Sequence, residues 1–226
     1  VVVTNNDDAY RTAITLKNAG LEVPLIVDAR PHGGGALADE ARALGIRVET
    51  GKAIAKVHGS KRVQSVSICA QAGEGAVLEE VSCDCVAMSG GWSPVVHLWS
   101  HCGGKLLWDE HEIFFRPDVH EPPLDQDGTP FVYAAGAANG CFGLDELLQD
   151  ATAQAGAATG SKKTPKLPNA SPRAEAPIQA VWMMPQGAGI KLRSKAWLDF
   201  QNDVKVSDVQ LAAQEGFESV EHAKRY

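Results

Sequence analysis

Three things are missing from this 226-residue chain, and each removes a class of protein. There is no positive excess: 21 Lys and Arg stand against 28 Asp and Glu, a net charge of −7. A nucleic-acid binder draws its affinity from a basic surface, so that partner is not expected. No apolar run approaches the roughly 18–20 residues that cross a bilayer, and no signal peptide opens the chain. A soluble, cytoplasmic protein with no membrane partner is expected. Paired cysteine clusters are also absent. The five cysteines lie at 69, 83, 85, 102 and 141, whereas structural zinc needs about four ligands in paired clusters. Cys83 and Cys85 would share one face of a strand, and are expected to be reduced and buried. No initiator Met is present either: Val1-Val2-Val3 reads as a strand already under way and the last residues fall inside a helical pattern, so both ends are expected to be cut.

A β-α-β-α-β pattern opens the chain. Strands are expected at 1–4, 21–27 and 46–50, with helices at 9–19 and 36–44. Asn5-Asn6-Asp7-Asp8 offers N-caps, Gly20 and Gly45 stop the helices, and Tyr10, Ala13, Ile14 and Lys17 line one helix face. This is the mononucleotide half of a Rossmann-type sheet. A meander follows at 53–57, 63–69 and 77–81, then a strand at 83–89. The dinucleotide fingerprint G-x-G-x-x-G belongs where the first strand meets the first helix. Here that turn is Thr4-Asn5-Asn6-Asp7-Asp8-Ala9, with no glycine and two carboxylates at a helix N-terminus that would otherwise favour an anion. Asp28 does stand where an acid grips a ribose hydroxyl. The expectation is a Rossmann shape that has lost its ligand.

Residues 132–143 (Val-Tyr-Ala-Ala-Gly-Ala-Ala-Asn-Gly-Cys-Phe-Gly) carry the stronger cofactor signal. An apolar run at 131–135, expected as a strand, meets glycines at 136, 140 and 143, and a helical pattern begins at Leu144. Such a layout brings backbone N–H groups near a phosphate or a nucleotide rim, with Asn139 at its centre. A tight connection inside an α/β domain explains it equally well. Leu147, Leu148, Ala151, Ala155 and Ala158 continue the helix, with small residues expected to lie against a sheet. Between 97 and 130 short strands are expected at 106–108 and 113–115. His97 and His101 have the i, i+4 spacing of zinc sites, but Leu98 stands where the motif has glutamate. Asp109, Glu110 and Glu112 read as a solvated face. No metal site and no catalytic acid, base or nucleophile is identified. Residues 161–177 hold four prolines and read as a linker. In the tail a strand is expected at 196–200, a capping box at Ser207 to Gln210 opening a helix to 214 or 215, and another helix at 219–226. Acidic Asp208, Glu215, Glu218 and Glu221 exclude a DNA-reading helix-turn-helix.

Several segments together resemble the α subunit of heterotetrameric sarcosine oxidase, within the flavoproteins that have two dinucleotide-binding domains. They are Val-Val-Val-Thr-Asn-Asn-Asp-Asp-Ala-Tyr-Arg-Thr-Ala (1–13), Ser-Gly-Gly-Trp-Ser-Pro-Val-Val-His-Leu (89–98) and Ala-Gly-Ala-Ala-Asn-Gly (135–140). The most specific are Lys-Ala-Trp-Leu-Asp-Phe-Gln-Asn-Asp-Val (195–204) and Gly-Phe-Glu-Ser-Val-Glu-His-Ala-Lys-Arg-Tyr (216–226). The resemblance implies an α/β fold: a Rossmann-like three-layer inserted domain at 1–90 and the returning part of an FAD/NAD-type dinucleotide domain at 91–160. A linker at 161–180 and the start of a small, cluster-less ferredoxin-type (BFD-like) domain at 181–226 complete it. It implies NAD in this subunit, touched by Gly136, Ala137, Phe142 and Leu144, with Asn139 and Gly140 completing the turn. FAD and FMN would lie elsewhere in the assembly, beside β, γ and δ subunits. The implied reaction is oxidative demethylation of sarcosine to glycine, with hydrogen peroxide and a one-carbon unit passed to tetrahydrofolate. The implied glycine motif of the NAD domain would precede Val1, and the folate domain would follow Tyr226. Relatives hold an iron–sulfur cluster through Cys-x-Cys; Trp197-Leu198-Asp199-Phe200 offers no such ligand. Two other readings stay open. One is an NAD(P)H-dependent flavin reductase of the pyridine nucleotide-disulfide type, which the lack of Cys-x₄-Cys and Cys-x-x-Cys disfavours. The other is a non-catalytic scaffold with 97–130 as its contact surface. If the 136–143 turn holds the cofactor, Gly140→Val weakens retention more than Gly34→Val.

Overall fold

The structure is a computed structural model that describes every residue except Lys162, Thr164, Arg173, Ala174, Val220, Glu221 and 223–226. Two compact units result: Val1–Gly90 together with Gln179–Tyr226, and Gly91–Ile178.

The first unit runs β1 (Val2–Thr4), α1 (Asp8–Asn18), β2 (Leu25–Asp28), α2 (Gly35–Ala43), β3 (Arg47–Thr50), β4 (Lys52–Gly59), β5 (Val63–Ala70), β6 (Glu79–Ser82) and β7 (Ala87–Ser89). A parallel sheet of order β3-β2-β1-β7 lies beside an antiparallel sheet β4-β5-β6. Because strand residues alternate faces, Val2 and Ile26 pack with Tyr10, Ala13, Ile14, Ala38 and Ala41 of the helices. Val1, Val3, Leu25 and Val27 face the other way, onto Val66 and Ile68 of β5. Helices, parallel sheet and antiparallel sheet are therefore three layers, as expected. Burial on both faces explains why β1 and β2 are continuous apolar runs.

Two expected strands are shorter than their apolar runs. β2 begins only at Leu25, because Gly20 turns the chain at φ +88° and leaves Leu21 exposed. The strand expected at 83–89 begins at Ala87. Residues 83–86 bend between the two sheets instead, and the Val1 backbone nitrogen donates to the Cys85 carbonyl at 2.9 Å. Cys83 is consequently half-buried and Cys85 exposed, not buried on a shared strand face; all five cysteines are free.

The second unit holds α3 (His97–His101), an antiparallel hairpin of β8 (Leu106–Asp109) and β9 (Phe114–Pro117), a 3₁₀ turn (Gly136–Asn139) and α4 (Leu144–Thr159). The hairpin lies where short strands were expected. Residues 131–135 are not the expected strand: they have no regular secondary structure, and no strand pairs with them among the described residues. Among the described residues of its unit α4 packs on no sheet either: none of its residues is buried, and Ala155 and Ala158 are exposed.

The tail returns to the first unit with α5 (Ile190–Arg193), β10 (Trp197–Asp199), β11 (Val204–Lys205) and α6 (Val206–Gln214). The start of α6 falls one residue before the expected capping box. The Asp208 carboxylate, not Gln210, reaches back to accept the Lys205 N–H at 2.8 Å. Most of the helix expected at 219–226 lies outside the described residues.

Candidate functional site

The loop between β1 and α1 stands at the carboxyl edge of the parallel sheet, where a Rossmann fold binds its dinucleotide. The chain's own side chains fill it. Asp28, at the end of β2, is fully buried and receives the Tyr10 hydroxyl at 2.8 Å. Arg30 donates to the same carboxylate through its backbone N–H, Nε and Nη2. The same Nη2 donates to Asp7 Oδ1 at 2.8 Å. The guanidinium thus bridges the acid at the α1 N-terminus and the acid at the end of β2. Burial opposes the Arg30 charge, but the bonds and charges of Asp28 and Asp7 outweigh it and raise its pKa. Burial, and then the Asp28 charge and hydrogen bond, raise the Tyr10 phenol well above its ordinary value. Asp7, the N-cap residue of α1, makes no side-chain cap bond; the Asn6 side-chain oxygen accepts the Asp8 N–H at 3.1 Å. The Asn6 amide also donates to Ser89 at the end of β7. Asp28, which stands where an acid would grip a ribose, is committed inside the protein.

At the second turn the structure gathers Gly136, Ala137, Asn139, Gly140, Phe142 and Leu144 around the start of α4. Ala137, Phe142 and Leu144 are exposed, whereas Gly136 is buried. An acid that sequence reasoning missed organises the turn. Asp150, on α4, accepts the Gly136 N–H at 2.6 Å and the Asn139 amide at 2.9 Å. A donor-rich glycine turn followed by a helix with one acid two turns in was the available signal. Both glycines have positive φ, +59° at Gly136 and +90° at Gly140. A methyl at Gly140 would meet the Phe114 ring at 3.2 Å, and one at Gly136 would meet Leu147 at 3.1 Å. Backbone conformation and tight packing inside the unit therefore both favour glycine at these two positions. Phe114 in turn stacks edge-on against Phe142, centroids 5.8 Å apart. Burial and the nearby charges of Asp150 and Glu146 push the Cys141 thiol upward.

Any dinucleotide contact at this turn would be with an uncharged, flat part of the molecule. Ala137, Phe142 and Leu144 present an apolar rim, and Gly143 begins α4 with no side-chain cap. Asp145 and Glu146 occupy the first turn of α4, so a pyrophosphate would meet like charge there. His97 and His101 share α3 and are both exposed. Among the described residues no group of three or more His, Cys, Asp or Glu is placed to hold a metal ion. Asp109 is the turn-former of its hairpin, accepting the His111 and Glu112 N–H groups and the Arg116 guanidinium. Those partners, the Glu112 N–H foremost, lower its pKa. No helix among the described residues is long and apolar enough to cross a membrane.

The mixed α/β fold with its parallel sheet is shared by a solved structure. L-Proline dehydrogenase from P. horikoshii superimposes with a TM-score of 0.54 at 16% identity, over 99% of this chain and 43% of that one. Sequence comparison goes further. The chain is homologous over its whole length to sarcosine oxidase subunit alpha, at 34% identity to the Corynebacterium sp. (strain P-1) protein and 33% to that of Rhizobium meliloti (strain 1021). It spans 23% and 21% of those relatives, about a quarter of their length or less. The family model of the sarcosine oxidase A3 domain matches residues 193–226.

Proposed function

We propose that this chain is the cofactor-carrying part of an α subunit of a heterotetrameric sarcosine oxidase, working in the cytoplasm beside β, γ and δ subunits. The complete enzyme would oxidatively demethylate sarcosine to glycine, releasing hydrogen peroxide and passing a one-carbon unit to tetrahydrofolate. FAD and FMN would reside elsewhere in that assembly. NAD would rest on the 136–144 turn, where Ala137, Phe142 and Leu144 offer apolar contact. Gly136 and Gly140 let the backbone turn, and Asp150 holds Gly136 and Asn139 in place. No acid, base or nucleophile in this chain is assigned to the oxidation. What carries the reading is the end-to-end homology to sarcosine oxidase α subunits.

A flavin reductase of the pyridine nucleotide-disulfide type would use a second dinucleotide site on the first unit. The buried Asp7–Arg30–Asp28 bridge stands in that place, which favours the proposed reading. The test is mass spectrometry of the supernatant after heat-denaturing the assembled enzyme. Released NAD⁺ in proportion to α subunit is the expected result. A correctly assembled enzyme free of nucleotide would refute the assignment.

A further inference from the structure

A second feature of the first unit has no part in the proposed NAD site. Residues 179–192 run from the carboxyl edge of the parallel sheet to the turn between β5 and β6. Gln179 and Asn5 exchange hydrogen bonds: the Asn5 side chain donates to the Gln179 carbonyl at 2.7 Å, and the Gln179 N–H donates to the Asn5 carbonyl at 3.4 Å. The Gln71 side chain donates to the Met183 carbonyl at 3.0 Å, and the Gln71 carbonyl accepts the Gln186 N–H at 2.7 Å. Gly187 N–H donates to the Gly73 carbonyl at 3.0 Å. Met184 packs against the cluster of Val1, Val3, Leu25 and Val27, and Pro185 is completely buried.

Two glycines, Gly187 on the tail segment and Gly75 on the receiving turn, stand at the close approaches of this seating. A methyl on Gly187 would lie 3.0 Å from the Gly73 carbonyl, and one on Gly75 would meet Leu192 at 2.5 Å. Gly73-Glu74-Gly75, which reads in the sequence as an ordinary hairpin turn, is thus shaped to receive another segment. Asn5 belongs to the loop that a Rossmann fold offers to a pyrophosphate. The tail segment is thus bonded to a residue of that edge.

We propose that the first unit is a docking platform for the tail rather than a nucleotide domain, its ligand edge held shut by the Arg30 bridge and by the 179–192 strap. The unit's inherited binding surface is reused to fix the segment that leads into residues 193–226. Loosening the strap and exposing the edge are therefore one event. This inference does not depend on where NAD sits in the second unit.

Hydrogen–deuterium exchange followed by mass spectrometry on the full chain tests it, with NADH as the probe. Added NADH is expected to leave exchange at 4–8 and 28–34 unchanged. NADH protection there would overturn the inference, whereas lack of protection at 136–144 would bear only on the proposed NAD site. Asn5→Ala and Gln71→Ala each remove one side-chain bond to the strap. Each is expected to speed exchange at 179–188 about fivefold, the opening that loss of about 1 kcal/mol allows. In Arg30→Met, residues 5–8 and 179–188 are expected to accelerate together. Strap exchange unchanged in both alanine variants would overturn the inference, even if Arg30→Met fails to fold.

Discussion

At the scale of single residues, the charged group at the carboxyl edge of the first sheet dominates. Asp7, Asp28 and Arg30 are each at least 96% buried, with exposures of 4%, 0% and 4%. Removing one member of a buried ionic group leaves an uncompensated charge, at a cost of about 3–5 kcal/mol. Arg30→Met is expected to cost that much, and Tyr10→Phe only about 1 kcal/mol, since Arg30 still satisfies Asp28. Chemical denaturation of the two variants checks the order; equal losses would show that Arg30 does not hold the group together. The Tyr10 phenol has a raised pKa in the folded state, so folding favours its protonated form. Its contribution to stability is complete below the ordinary tyrosine value, near 10, and is lost as pH rises through the folded value. In an alkaline titration, one of the three tyrosines is expected to form phenolate only on unfolding. Neither Arg30 nor Asp150 was visible as a key residue in the sequence. Asp7 and Asp28 were, but only folding brings a side chain from beyond β2 between them.

At the scale of elements, the outcome depended on whether the partner of an element lies nearby in the chain. α1, α2, β1 and the meander have partners within about 90 residues, and their positions were legible from period, caps and glycine stops. The run 131–135 and helix α4 carry the same local signals, yet they find no sheet among the described residues of their unit and remain irregular chain and half-exposed helix. Apolar periodicity records a face to be buried, not what will bury it. The glycines of the 3₁₀ turn illustrate the same limit. Their spacing suggested an open cradle, whereas Phe114 and Leu147 fill the space beside them. Gly140→Ala is expected to destabilise the second unit by about 1 kcal/mol or more, from positive φ and the Phe114 contact together. Gly20 shares a positive φ, +88°, but has open space around it, so Gly20→Ala costs less. Thermal melts of the two variants separate backbone strain from packing. Gly34→Val is a poor control, because its Cβ would press on Tyr10 at 2.5 Å.

At the scale of the whole molecule, the two units differ in how much apolar surface they bury. The first holds two buried clusters on either side of its parallel sheet. The second buries Trp99 and Phe114 but leaves Phe131, Phe142 and Leu144 exposed. Brief proteolysis is expected to cut first within 91–178, at a rate at least about tenfold above cleavage within 1–90, because local opening follows buried contact. Preferential cleavage inside 1–90 would contradict that order. The sequence by itself determined the β-α-β-α-β pattern of the first unit, the missing phosphate cradle at its first turn and the likeness to sarcosine oxidase α subunits. These depend on residue type at fixed spacing, which short-range backbone sterics and alternation of faces translate directly. Only the tertiary structure decided that Arg30 and the 179–192 strap occupy the vacated edge, and that Asp150 rather than a ligand takes the Gly136 N–H. Those contacts join residues far apart in the chain, or set side chain against backbone in directions that no spacing rule encodes.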